Sequence, residues 1–235
     1  MLRVTAPIVS ITSPTPRSRL LTFDVGAETF AFAAGQAVMV SFPADSEPKP
    51  YSIASSPEHV AATGRLELLI AVEQPDAPEL HAAREGNRVE IEGPLGTFTL
   101  PDALAQSRLL FVAGGTGIAP LRSMLNQALR TFPECRVSVL YSARRSDEFA
   151  FIDELREYER ERRIELHQTV TRDDSATWQG RRGRIGRTHF EAVMHEPHET
   201  MCYVCGPPSM VEESVAMLRA LGVPEPQIKT EQWGR

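Results

Sequence analysis

Gly114-Gly115-Thr116-Gly117 follows an apolar run, Arg108 to Ala113, and precedes a helical pattern of Ile118, Leu121, Met124, Leu125, Ala128 and Leu129. Strand, glycine-rich turn and helix in that order set backbone N–H groups and a positive helix end against an anion, and phosphate is the anion such turns hold. The spacing is not G-x-G-x-x-G, so a tight connection that binds nothing is the competing reading. A second segment, Cys205-Gly206-Pro207-Pro208-Ser209-Met210, lies at a strand end that opens a helix, where α/β sheets place ligands. A buried structural cysteine is the alternative there. Arg144 and Thr171-Arg172 stand at the ends of further expected strands, and Arg184 follows Gly183. Guanidinium groups in such places suit another phosphate. Arg181, Arg182, Arg184 and Arg187 can equally be loop cations facing solvent.

Cys202-Tyr203-Val204-Cys205 spells C-x-x-C, a redox or zinc spacing. Its apolar surroundings favour a buried strand instead. An offset of three along a strand sends the two sulfurs to opposite faces. Three cysteines in all, Cys135 included, form no disulfide framework and cannot supply the four thiolates of an ordinary iron–sulfur cluster. His81 and the other histidines have no metal-site spacing.

These residues need elements to position them, and the chain divides into two halves. From Val4 to Leu100 short apolar or alternating runs recur: 8–11, 20–23, 37–42, 66–72 and 88–92. Gly26, Gly35, Gly64, Gly86-Asn87 and Gly93-Pro94 punctuate them, as in a small antiparallel barrel or sandwich. After Pro101 strands are expected at 108–113, 136–142, 164–171, 201–205 and 227–233. Helices are expected at 118–131, 149–162, 187–194 and 208–221, giving an α/β unit with a mostly parallel sheet. Phe151, Ile152, Leu155 and Tyr158 form a core stripe, and 157–163, dense in Glu and Arg, a solvated face.

A chain of 235 residues suits two domains. A net charge of −6 argues against general nucleic-acid binding. No apolar run is long enough to span a membrane, and residues 1–20 lack the apolar core of a secretory signal, so the cytoplasm is the expected location.

Three segments, Pro50-Tyr51-Ser52-Ile53-Ala54-Ser55, the glycine-rich turn and the Cys205 segment, come in an order that resembles the ferredoxin–NADP reductase family of flavoprotein oxidoreductases. The resemblance covers nearly the whole chain. It implies a six-stranded antiparallel flavin-binding barrel over 1–102 and a Rossmann-like NAD(P)-binding α/β domain over 103–235. Lys49-Pro50-Tyr51-Ser52 matches the family's R-x-Y-S, with Lys49 in place of the phosphate-gripping Arg. Lys49 keeps the charge but loses the planar fork. Tyr51 would pack on the isoalloxazine and Ser52 would lie near flavin N5. Ile70 would belong to the strand passing the flavin. Gly96 and Thr97 match the segment G-P-x-G-x-F that closes the barrel. A departure stands just ahead of Leu80, where Gln74 and Ala77 occupy the places of the family's Gly and Ser or Thr. That puts flavin affinity, and the choice of FAD over FMN, in question.

On the nucleotide side the resemblance assigns the pyrophosphate to Gly114, Gly115, Thr116 and Gly117. Arg144, Thr171, Arg172 and Arg184 favour NADP over NAD. Cys205 and Gly206 would pack near the nicotinamide. Glu231 would handle a proton or position that ring, and Trp233 would stack on the flavin; a terminal strand with a surface Glu and a frayed end is the competing reading. Ser52, Cys205 and Glu231 are the catalytic candidates. The implied reaction moves hydride from NADPH to FAD and electrons onward to a separate carrier such as ferredoxin or flavodoxin. Two alternatives stay open: an enzyme using diffusible flavin, and a non-catalytic electron-transfer or regulatory subunit.

Overall fold

The computed structural model describes residues 2–27, 29–42, 47–72, 80 and 82–232. The first half forms a six-stranded antiparallel sheet in the order β4-β3-β6-β1-β2-β5. Its strands are β1 (Leu2–Thr15), β2 (Ser18–Asp24), β3 (Ala37–Ser41), β4 (Lys49–Ser52), β5 (Arg65–Ala71) and β6 (Arg88–Leu95). β1 is longer than its hydrophobic run predicts because it serves two partners. Leu2 to Pro7 pairs with β6, and Ile8 to Thr15 pairs with β2. The sheet's two ends then meet. Ile53, next to β4, bridges Leu68 in β5, and Ala54 N donates to the Glu67 carbonyl at 2.8 Å. Closure removes both free edges and makes a barrel. Ile8, Phe23, Leu66 and Ile91 fill its interior.

Between β4 and β5 lies a helix that periodicity misses, α1 (Pro57–Thr63). Its ends are written in the sequence. Ser56 Oγ accepts from His59 N, Pro57 takes the first turn, and Gly64 closes the helix at φ +69°.

The second half is a six-stranded parallel sheet in the order β10-β9-β8-β7-β11-β12. Its strands are β7 (Arg108–Gly114), β8 (Arg136–Ala143), β9 (Glu165–Val170), β10 (Arg181–Arg182), β11 (Thr200–Gly206) and β12 (Ile228–Gln232). The helices are α2 (Ile118–Thr131), α3 (Ile152–Arg160), α4 (Arg187–Val193) and α5 (Pro208–Ala220). The chain builds outward from β7 to β10, then returns to place β11 on the other side of β7. The order reverses there, and such a switch point opens a ligand crevice at the strands' carboxyl ends.

α3 starts later than the 149–162 pattern predicts. Phe151 takes φ +60°, and Ala150 N donates to the Tyr141 hydroxyl rather than to a helical carbonyl. Cys202 packs with Leu110 and Val112, whereas Cys205 packs with Phe111 and Tyr203 on the other face. Both thiols are free, and burial pushes that of Cys202 up to about 12. Among the described residues no helix is long and apolar enough to cross a membrane, and no His, Cys, Asp and Glu cluster forms a metal site.

Candidate active site and nucleotide cleft

Three residues distant in sequence converge where the barrel meets the switch point. Ser52 ends β4, and its hydroxyl donates to Glu231 Oε2 at 3.3 Å. Glu231 in β12 stands in register beside Cys205 in β11. Burial raises the Glu231 carboxyl above the ordinary range, and the Ser52 hydrogen bond opposes that shift. Burial raises the Cys205 thiol further, helped by the charge of Glu231. A thiol held protonated is no nucleophile. The cluster therefore offers one hydroxyl, one neutral sulfur and one titratable carboxyl to a ligand lying between the halves.

The backbone around it is crowded. A Cβ on Gly117 would collide with the Cys205 carbonyl oxygen, and one on Gly114 would lie 2.6 Å from Met210 Sδ. Glycine here lets the turn after β7 nest against the end of β11. Gly117→Ala must push backbone against backbone. A loss of about 1–3 kcal/mol is expected in denaturant unfolding, with weaker nucleotide binding by titration.

The turn is pinned from below by Tyr141. Its buried hydroxyl donates to the Gly115 carbonyl at 3.1 Å and accepts from Ala150 N at 3.1 Å. Burial raises its pKa. Above the turn opens a cleft of about 620 Å³. Gly114, Gly115, Thr116, Arg144, Thr171, Arg172 and Arg184, all named from sequence, line it. The loops after β8 and β9 carry the first two arginines and are tied together. Arg172 N donates to the Arg144 carbonyl at 2.8 Å. The Asp173 carboxylate accepts from Ser146 N and Ser175 N, each at 2.8 Å. Those bonds, Ser146 foremost, hold its pKa down at about 2.

Other predicted residues fall elsewhere. Gly117, Cys205 and Gly206 lie beside the cleft rather than in its lining. Arg182 is structural, spending its guanidinium on the Asp173, Ser175 and Trp178 carbonyls. Ile70 points into the barrel core, and its neighbours Leu69 and Ala71 face the cleft instead. Tyr51 is only 8% exposed and packs with the barrel's apolar cluster. Lys49 and Pro50 sit on β4 away from the cleft, Lys49 with its Nζ 3.1 Å from Glu47 Oε2. Ala37 pairs with both Ser52 and Leu95, so Gly96 and Thr97 share a barrel end with Ser52. Gln74, Ala77, His81 and Trp233 lie outside the described residues.

Sequence reasoning missed the barrel wall of the cleft, Thr15, Arg17, Ser18, Leu69 and Ala71, and also Glu148 and Glu213 from the other side. No local signal marks a turn arginine as a cleft residue; only the packing of the halves brings it there. Burial raises the pKa of Glu148, while Arg17 and Arg144 pull it down.

The chain matches two family models, the oxidoreductase FAD-binding domain over residues 5–100 and the oxidoreductase NAD-binding domain over 111–215. It is 33% identical to ferredoxin–NADP reductase B of Sorangium cellulosum, over 97% of this chain and 96% of that one. The chain belongs to the ferredoxin–NADP reductase family. It is also 29% identical to one component of the Na⁺-translocating NADH-quinone reductase of Haemophilus ducreyi, covering 79% of this chain but 48% of that one. Its fold is that of a ferredoxin NADP⁺ reductase from Neisseria gonorrhoeae solved with FAD and NADP, with a TM-score of 0.82, 21% identity and 98% coverage of both chains. A cytochrome P450 reductase from Amycolatopsis gives a TM-score of 0.87 at 24% identity, over 98% of this chain and 69% of that one. The chain is thus an FAD- and NAD(P)-binding oxidoreductase.

The residues present fit both groups. Gly96, at the barrel end it shares with Ser52, takes φ +91°, and an added Cβ would meet nothing within 4 Å, which leaves the backbone open there. The arginine-lined cleft has the charge for a dinucleotide's phosphates.

Proposed function

We propose that this oxidoreductase takes hydride from NADPH onto an FAD held at the junction and passes electrons to a separate protein carrier of the ferredoxin or flavodoxin kind. The observation that carries the reading is the Ser52–Glu231–Cys205 cluster. It joins the barrel strand that bears the flavin-type motif to the switch point of the nucleotide domain. When bound, the flavin accepts a hydride pair and can release electrons one at a time. The chain's own contribution is alignment. Ser52 and Thr97 present hydroxyls at the barrel's end, Lys49 supplies a cation for flavin phosphate, and Tyr51 and Ile70 shape the barrel beneath. Trp233 is assigned the flavin face. Gly114 to Gly117 hold the pyrophosphate, Cys205 and Gly206 seat the nicotinamide, and Arg144, Thr171, Arg172 and Arg184 take the 2′-phosphate. We place the domain division at 102/103, in the stretch joining β6 to β7.

The expected result is a desalted protein that is yellow and bleaches anaerobically when NADPH is added. A colourless protein that still oxidises NADPH when free flavin is supplied would turn the reading to a diffusible-flavin enzyme. A colourless, inert one would leave a non-catalytic subunit. NADPH preference and carrier are read from turnover with NADPH against NADH and with ferredoxin against flavodoxin.

A further inference from the structure

The tip of the β1–β2 hairpin overhangs the nucleotide cleft. It is a braced turn. Thr15 Oγ1 and Ser18 Oγ lie 2.7 Å apart, Arg17 N donates to Thr15 Oγ1 at 3.3 Å, and Val72 N donates to the Arg17 carbonyl at 2.9 Å. The turn carries the Arg17 side chain to Glu148 of the other half, with Nε 3.7 Å from Oε2. Glu148 is 12% exposed, and it feels the charge of Arg144 as well as that of Arg17. The Glu148 carboxylate thus pairs with a guanidinium from the other half of the molecule, in a cleft that Arg144 also lines.

We propose that Arg17 is a ligand for the 2′-phosphate of the nucleotide, supplied by the barrel, and that Glu148 is the internal carboxylate this phosphate displaces. The inference rests on the cleft being the nucleotide site. Its chemistry is ion exchange within one cavity. A dianionic phosphate replaces a monoanionic side chain beside Arg17 and gains charge-assisted hydrogen bonds from Arg17 and from Arg144, which lines the same cleft. A ribose hydroxyl carries no charge to displace the carboxylate; it can only donate to Glu148, and it leaves the Arg17–Glu148 pair in place. Loss of the Arg17 charge therefore weakens the phosphorylated nucleotide and spares the other. Because Arg17 belongs to the barrel, the same contact ties the barrel to the adenosine end of the ligand. Arg17 is a specificity-determining residue, distant from the hydride-transfer cluster.

The test titrates the flavin-loaded enzyme with 2′,5′-ADP and with 5′-AMP, probes that differ in the 2′-phosphate and lack nicotinamide. Arg17→Ala is expected to weaken 2′,5′-ADP about tenfold and leave 5′-AMP unchanged. Arg17→Lys should recover part of the loss, and Glu148→Gln should tighten 2′,5′-ADP. With both Arg17→Ala and Glu148→Gln the effects should fail to add. KM for NADPH should rise in Arg17→Ala while kcat holds, and the small drop in melting temperature from stranding Glu148 should vanish when Glu148→Gln is added. Equal weakening of both probes, or of neither, overturns the proposal. If Arg172→Ala loses 2′,5′-ADP while Arg17→Ala does not, the nucleotide site stands and the inference alone falls. If the unmodified protein binds neither probe nor NADPH, the cleft is no nucleotide site and both fall.

Discussion

Glu231→Gln is expected to slow hydride transfer about 100-fold while making the protein more stable at neutral pH. Both effects come from one carboxyl in one place. Glu231 is half-buried, accepts from Ser52 at 3.3 Å and lies in register beside Cys205. Burial raises its folded pKa above the unfolded value, so folding favours the protonated form. Its stabilising share is complete below the unfolded pKa, about 4.3 for glutamate, and is lost as pH rises through the folded value. At pH 7 the native protein therefore carries a shielded charge at some cost, which glutamine removes. The gain in melting temperature should fade below the unfolded pKa, where both proteins are neutral at this site. Function runs the other way. The ionised carboxylate is the acceptor that fixes the Ser52 hydroxyl, and protonation cancels its charge. Stopped-flow bleaching by saturating NADPH should show the rate falling as pH drops through an inflection displaced above the ordinary glutamate range. The inflection should be missing in Glu231→Gln. An unchanged rate would remove Glu231 from the reacting centre.

The residues of this cluster show which features a sequence displays and which it hides. The glycine-rich turn is legible as a connection because its geometry is local. A strand, a tight turn and a helix lie within 24 consecutive positions, 108–131. The cysteines were legible because strand geometry alone puts Cys202 and Cys205 on opposite faces. Glu231 and Ser52, 179 positions apart, were paired only through family resemblance, since no periodicity connects them. Some elements carry neither a local signal nor a family motif. α1 escapes periodicity although Ser56-Pro57 and Gly64 mark its ends, because seven residues with one buried position, Val60, make no amphipathic stripe. β4 was seen as a motif and not as a strand, and β1 was cut short because only part of it alternates. Arg17 was invisible. A polar residue between two strands looks like any turn residue until the other half of the molecule is brought against it.

Arg122→Met is expected to cost about 2–3 kcal/mol, lowering the melting temperature by roughly 5–10 °C, and to slow hydride transfer without touching a ligand. Arg122 projects from α2 into the seam between the halves. Nη1 donates to Glu67 of the barrel at 2.7 Å and to the Ala54 carbonyl at 3.1 Å, while Nε donates to Glu154 of α3 at 2.7 Å. Its guanidinium also lies 4.3 Å from the centre of the ring of Phe151, the residue that opens α3, a cation–π contact. Burial lowers the pKa of Arg122, but the two carboxylates outweigh it and the net shift is upward. Methionine keeps the stem and removes the charge, stranding Glu67 and Glu154 in a half-buried seam. That is the expensive way to break an ion pair, and some solvent access at all three groups sets the cost below that of a fully buried pair. Adding Glu67→Gln and Glu154→Gln to Arg122→Met should therefore restore part of the stability, which denaturant unfolding reads directly. The kinetic effect has a separate cause. Ala54 is two residues from Ser52, and Ser123 on the next position of α2 donates to the Ser55 carbonyl at 2.7 Å. α2 thus grips the chain as it leaves β4 and fixes where the Ser52 hydroxyl stands relative to Glu231. The triple variant should regain stability but not rate, because the Ala54 contact is still missing. Recovery of both together would mean that Arg122 acts on the site only through overall stability.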